Sequence, residues 1–245
     1  MLKTINSIKL IFVAMLLMLS QAANAQTITE SQEQDLQAIE RLLRDNPQMI
    51  SNIRTSLENF MQQQKAQQQI FERYQAWLYE SGEHPVIGDP DAEHSIVVFT
   101  DYNCPYCKKL EPSIEKIIAD YPSIKFINVL LPLRQQRVAG ISGNSILYGL
   151  NVWASSPDKY FDVHTMLMDR SSMHNADSLR SIARRTQTMG DLKATIGANN
   201  VVDKNLSAFR DLGFRGTPTI MVGDQWIPGF IEHDELEAVI KAEFF

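Results

Sequence analysis

Cysteine is scarce in this 245-residue chain, which carries only two, Cys104 and Cys107. Their spacing argues against a structural staple. On the chain-entropy account, closing a loop of about four residues stabilises by roughly 2 kcal/mol, against about 4.7 for a loop of about 100, so a cross-link placed for stability joins distant segments. Histidine offers no zinc site beside them: His84, His94, His164, His174 and His233 contain no His-x3-5-His pair. Clusters of Lys and Arg are also missing from a chain of formal net charge −6. Nucleic acid and anionic lipid are bound chiefly through such clusters, so neither is expected as a general partner. Glycine does not occur before Gly82. Beyond the first 25 residues no apolar run approaches the roughly 20 residues a bilayer requires.

The start of the chain has its own signature. Lys3 and Lys9 lie in an otherwise uncharged segment, every residue from Leu10 to Leu19 is apolar, and Ala23-Asn24-Ala25 has the small-x-small form that signal peptidase accepts. Residues 1–25 therefore read as a secretory signal peptide cleaved after Ala25, and the short apolar run opposes the alternative of an uncleaved anchor. Cleavage removes two lysines and no acids, leaving 220 residues at −8. The expected location is the periplasm.

Residues 26–83 are rich in Gln and Glu and periodic in their apolar positions. Thr29 with Gln32 forms a capping box for a first helix carrying Leu36, Ile39 and Leu43, and Asn46-Pro47 suits the start of a second that ends near Gly82. Ile50, Ile53, Leu57, Phe60, Gln64, Gln67, Phe71, Tyr74 and Leu78 alternate at spacings of three and four, a heptad seam. The segment is expected to be a homo-oligomerisation arm for a dimer or trimer. The plainer alternative is a helix folded back on its own domain.

From about residue 84 the patterning changes. Ser95–Thr100 reads as a buried strand, Cys104 opens a helix with Leu110, Ile114, Ile117 and Ile118 on one side, and Ile124–Leu131 is a second apolar strand. Pro112 is expected to kink that helix. Residues 137 to about 212 read as helices broken at Pro157, Gly190 and Gly197; Thr219–Val222 and Gln225–Ile227 flank a Gly223-Asp224 turn, and a last helix starts at Asp234. The fold class is α/β: a thioredoxin fold with a helical insertion, preceded by a helical extension.

Cys104 at the helix N-cap, with Pro105 at the first helical position, meets unpaired backbone N–H groups and the positive end of the helix dipole. Both favour a thiolate, and Lys108 and Lys109 are expected to add to the potential. Cys104 is thus the expected nucleophile. Cys107, one turn inward, is expected to stay protonated until it resolves the mixed disulfide.

Phe99-Thr100-Asp101-Tyr102-Asn103-Cys104-Pro105-Tyr106-Cys107-Lys108, with Gly216-Thr217-Pro218-Thr219 later, resembles the DsbA family of periplasmic thiol–disulfide oxidoreductases. The likeness runs from about Pro85 to the C-terminus and includes Tyr160-Phe161-Asp162-Val163-His164 and Leu212-Gly213. With its N-terminal arm the chain is similar to ScsC-like members. The resemblance implies residues 84–245 as the catalytic domain, a cis Pro218 against the Cys pair, and a Thr217 backbone that pairs with extended substrate. It implies protein substrates with thiols or disulfides, and a membrane redox partner that resets the pair. No cofactor or metal is expected. Two departures stand out. Many members carry a buried Glu six residues before the first Cys, where this chain has Val98, so Cys107 must lose its proton to water or another group. Strong oxidases have His where this chain has Tyr106, which implies a less acidic Cys104 and a less oxidising disulfide. The expected activity leans to isomerisation and reduction with some oxidase capacity.

Cys-Pro-Tyr-Cys is also similar to glutaredoxin. The signal peptide, the long insert and Gly-Thr-Pro-Thr in place of Thr-Val-Pro oppose that reading. A third alternative is copper binding or copper resistance, through the Cys pair or through His164, Met166, Met168, Met173 and His174, since soft sulfur ligands select Cu(I). Methionines at such spacings more often fill a core.

Overall fold

A computed structural model describes residues 28–245. The signal peptide and its cleavage after Ala25 lie outside the described residues. The chain divides into two compact units at Gln63–Gln64.

In the first unit, α1 spans Glu30–Asp45, and the capping box expected from sequence is present. Gln32 N donates to Thr29 Oγ1 at 3.2 Å while Thr29 N donates to Gln32 Oε1 at 2.7 Å. No residue of α1 is buried. A 3-10 turn at Pro47–Met49 follows, and α2 runs from Ile50 to Glu80 across the division between the units. The sequence places the second helix start at Asn46-Pro47; the 3-10 turn there delays the α-helix to Ile50.

The second unit holds a five-stranded sheet in the order β1-β3-β2-β4-β5. The strands are β1 Val86–Ile87, β2 His94–Thr100, β3 Ile124–Leu130, β4 Thr219–Val222 and β5 Gln225–Pro228. Only β2 and β3 are parallel, joined through α3, Pro105–Asp120; every other pairing is antiparallel. α3 continues through Pro112 without ending. The insert supplies α4 Ser145–Ser155, α5 Tyr160–Met168, α6 Ala176–Arg185 and α7 Ile196–Asp211, and α8 His233–Phe244 closes the chain. Pro157 and Gly190 fall in 3-10 turns as breaks, whereas Gly197 lies inside the first turn of α7, where a glycine is tolerated.

Both faces of the sheet are covered, which is why β2 is apolar without alternation. Ile96 and Val98 face α3, α8 and much of the insert, while Val97 and Phe99 face Ala208, Phe209 and Leu212 of the α7 end together with Tyr74 and Leu78 of α2. Tyr74 and Leu78 are therefore part of this unit's core. The Tyr74 hydroxyl donates to Asp211 at 2.6 Å, and Trp77 Nε1 donates to Asn205 at 3.1 Å. The expected seam from Ile50 to Leu78 is accordingly shorter. Its last two positions are buried in the chain's own second unit, whereas Ile50, Ile53, Leu57 and Phe60 are exposed.

His84 lies edge-on to Trp77 with ring centroids 5.0 Å apart, and neither of its buried nitrogens has a hydrogen-bond partner. Burial pulls its pKa, and that of His174, down to about 4. Between about 6.5 and about 4 the unfolded chain binds protons that the native imidazoles refuse, so stability falls as pH falls through that window. The loss approaches about 3 kcal/mol per histidine at full effect. The midpoint of thermal unfolding of the oxidised protein is expected to drop steeply from pH 7 to pH 4, and less steeply in His84→Phe. Parallel pH profiles for the two proteins would show that His84 plays no part.

Candidate active site

The register Phe99↔Thr219 between β2 and β4 sets the loop after Thr100 beside the loop before Thr219 at one end of the sheet. Thr100 to Cys104 are all buried. Cys104 N donates to the Asp101 carbonyl at 2.9 Å, closing a turn whose side chains are spent on neighbouring segments. The Asp101 carboxylate accepts from Asn103 N and Arg134 N, each at 2.8 Å. Asn103 Nδ2 donates to Gln135 and Ser145, both at 3.2 Å, and its Oδ1 accepts from His174 N at 2.9 Å. Burial raises the Asp101 pKa despite those backbone donors. Asp101 and Asn103 escape the sequence reading as anchors; their only signal there is two polar side chains in an otherwise apolar strand end.

Cys104 is the N-cap of α3, with Pro105 at the first helical position. Both thiols are free. The Cys104 thiol lies 3.2 Å from the Thr217 carbonyl, to which it donates, and the Thr217–Pro218 bond is cis. The Cys104 pKa is drawn down to about 5, first by the hydrogen bond from the Cys107 thiol and then, against desolvation, by the Thr217 side chain and the backbone N–H groups of Cys107 and Tyr106. Cys107 moves the other way, held far above the ordinary thiol range by burial and by its bond to Cys104, although the Thr100 side chain and Asp101 backbone also bond to its sulfur. The pair thus holds one stabilised thiolate at the helix start and one proton locked behind it. That is the asymmetry that thiol–disulfide exchange requires.

The two lysines expected to add to the potential each have a partner of their own. Lys108 Nζ donates to the Arg170 carbonyl, and Lys109 pairs with Glu232 at 2.9 Å over the Phe230 ring. Hydrogen bonds from Cys107, Thr217 and the helix amides lead the Cys104 shift, and Lys108 is coupled to Cys104 through its charge. Tyr106 projects into solvent at 61% exposure. Val98 is buried among apolar side chains. The suggested copper ligands do not converge: His164 Nε2 is bonded to Glu111 at 2.6 Å, His174 Nε2 to the Leu167 carbonyl at 2.9 Å, and Met168 is core while Met173 is exposed. Among the described residues no group of three or more His, Cys, Asp or Glu is placed to hold a metal ion.

The thioredoxin family matches residues 80–242. Disulfide bond formation protein D of Bacillus subtilis is 28% identical over 175 residues, which cover 65% of this chain and 76% of that protein. The crystal structure of Proteus mirabilis ScsC in a transitional conformation is 31% identical with a TM-score of 0.66, covering 90% of this chain and 98% of that one. A periplasmic thioredoxin-like protein from Salmonella enterica serovar Typhimurium is 32% identical with a TM-score of 0.63, covering 69% of this chain and 94% of that one. The buried turn, the helix-capping Cys104, the protonated Cys107 and these likenesses agree, and the chain belongs to the thioredoxin family as a DsbA- and ScsC-like thiol–disulfide oxidoreductase.

Proposed function

We propose that this chain is exported to the periplasm, loses residues 1–25, and there isomerises and reduces disulfides of protein substrates, with some oxidase capacity. Residues 84–245, together with the α2 turns that pack on them, form the catalytic domain, and the arm before them assembles a homo-oligomer. The observation that carries the reading is the divided Cys pair, with Cys104 drawn down to about 5 at the helix start and Cys107 buried and protonated behind it. In each cycle the Cys104 thiolate attacks one sulfur of a substrate disulfide, forming a mixed disulfide and releasing the other sulfur as a thiolate that takes a proton. Either that substrate thiol or another returns to attack, which shuffles the bond. Alternatively Cys107 gives up its proton and attacks Cys104, which leaves the substrate with two thiols and the enzyme with a disulfide. A membrane redox partner then supplies the two electrons that reset the pair. Thr217 and Pro218 line the substrate side of the thiolate, where the Thr217 backbone is the natural strand partner for an extended peptide.

The lean away from strong oxidation rests on acidity. A Cys104 pKa of about 5 is milder than the extreme of about 3.5, and a less stabilised reduced form makes the disulfide less oxidising than about −120 mV. Three assays on one preparation separate the directions: reactivation of a client with scrambled disulfides, oxidation of a reduced client, and reduction of an accessible disulfide. The first is expected to exceed the second at equal enzyme concentration in a glutathione buffer. Oxidation that outpaces shuffling, with a potential near −120 mV, would overturn the lean while leaving exchange itself intact.

A further inference from the structure

Behind the Cys pair lies a buried polar chain that takes no part in the exchange of sulfurs. Glu111 is on the second turn of α3, and its Oε1 is 2.6 Å from His164 Nε2 on α5. His164 Nδ1 is 3.2 Å from both the Tyr102 and the Tyr160 hydroxyls, which are 2.8 Å apart. With Nε2–H donating to Glu111, Nδ1 is left to accept from a tyrosine O–H, and the second tyrosine bonds to the first. All four residues are buried. Among the described residues, Glu111–His164 is the one contact at ion-pair distance with both partners in the interior.

Tyr102 is held by shape as well. A Cβ at Gly149 of α4 would lie 3.0 Å from the Tyr102 ring, so the ring sits tightly against that glycine and would have to give by a few tenths of an ångström for any larger residue. Tyr102 is also one of the two central residues of the turn closed by Cys104 N and the Asp101 carbonyl. The network therefore connects that turn to α3 two turns down, by way of α5. Burying such groups costs free energy that apolar side chains would not incur, and what the bonds add is direction, a fixed place for each member.

We propose that the Glu111–His164–Tyr102 chain, with Tyr160, is a positioning device that holds the Asp101–Cys104 turn and the start of α3 in register, so that the Cys104 sulfur stays over the helix amides. This rests on the reading of Cys104 as the attacking thiolate. None of the four residues touches the reacting sulfurs; they act through the turn. Loosening the chain lets the sulfur drift from its donors, destabilises the thiolate and makes the disulfide more stable relative to the dithiol.

Tyr102→Phe removes one hydroxyl and keeps the ring in its place. Thiolate absorbance against pH is expected to show the Cys104 midpoint raised by roughly half to one pH unit, the reach of one hydrogen bond. The equilibrium with glutathione is expected to shift about three- to tenfold toward the enzyme disulfide. His164→Leu should shift both at least as far, and the double variant no further than His164→Leu alone, because the two act in one chain. Glu111→Gln keeps an acceptor for His164 and is expected to recover most of the position that Glu111→Leu loses. Tyr148→Phe, which loses a buried hydroxyl bonded to Thr188 at 2.5 Å, is the structural control, expected to lower thermal stability and leave the midpoint in place. A folded Tyr102→Phe with the unaltered midpoint and glutathione equilibrium overturns the proposal, whatever its stability. An unaltered protein whose Cys104 titrates as an ordinary thiol would overturn instead the reading of Cys104 beneath it, and the proposal with it.

Discussion

Cys104→Ser is expected to abolish disulfide exchange, and Cys107→Ser to convert the protein into a trap that accumulates mixed disulfides with its substrates. The two outcomes differ because the two sulfurs do. Cys104 Sγ sits at the helix start beside the Thr217 carbonyl, with the backbone N–H groups of Tyr106 and Cys107 available to a negative sulfur. A serine hydroxyl there remains protonated and does not attack a disulfide. Cys107 is buried one turn inward, so its removal leaves the first attack possible and deletes the intramolecular exit. Mass spectrometry of non-reduced complexes and a client-reactivation assay read the two variants directly. The pH dependence has a definite sign. The rate of attack is expected to be nearly flat above pH 6 and to fall as pH drops through about 5, where the thiolate takes up its proton. The thiolate absorbance should follow the same curve. Cys107→Ala, which leaves no donor at that position, should move that curve upward, since the hydrogen bond from Cys107 is the first cause of the Cys104 shift. Exchange surviving in Cys104→Ser would refute the assignment of the nucleophile. A rate that falls only below pH 3 would refute the milder acidity.

The parts of this molecule legible in sequence are those whose cause is local. A proline after Cys104 at the start of an apolar-periodic helix identifies the N-cap, and continuous apolar runs identify β2 and β3 because both of their faces are covered. What escapes is pairing at a distance. β1 is two residues long, and it exists only because Val86 and Ile87 find Ile127 and Phe126 on the edge of β3. Lys108 and Lys109 follow the cysteine pair directly, which suggests a field on Cys104; their hydrogen-bond partners, the Arg170 carbonyl and Glu232, are contributed from far along the chain. Glu111 and His164 stand 53 positions apart, and no periodicity links them. His164 shows the same limit from the other side: in sequence it lies among methionines and suggests a soft metal, whereas in space both its nitrogens are engaged by oxygen atoms. The heptad spacing of α2 is read correctly as a stripe, but a stripe does not say what covers it. Tyr74 and Leu78 continue the pattern set by Ile50 and are buried by Phe209 and its neighbours instead of by another copy.

Full-length mature protein is expected to behave as a dimer or trimer at micromolar concentration, and a chain beginning at Gln64 as a monomer. The division of α2 at Gln63–Gln64 chooses the truncation point. A cut near Ser81 would also strip Tyr74 and Leu78 from the core and confound assembly with unfolding, whereas a start at Gln64 keeps both and the Tyr74–Asp211 bond. The driving force lies before the cut. Leu36, Ile39 and Leu42 on α1 and Ile50, Ile53, Leu57, Phe60 and Met61 on α2 all stand exposed in the single chain. Each such side chain gains about 1.5–3 kcal/mol when fully buried. The glutamines at 64 and 67 interrupt the apolar stripe where the second unit begins. Leu57→Glu with Phe60→Glu in the full chain is a second test that leaves the length intact. Like charges brought together across a symmetric seam are expected to dissociate it, with no change in the Cys104 titration. Light scattering on the three proteins gives the masses. A full-length monomer would end the case for assembly through the arm. If the Gln64 chain is a monomer yet shuffles a scrambled client as well as the oligomer does, oligomerisation is not what confers isomerase activity. The expected result is that the monomer keeps simple thiol oxidation and loses most of its shuffling, because one site alone cannot hold a client whose wrong disulfide has just been opened.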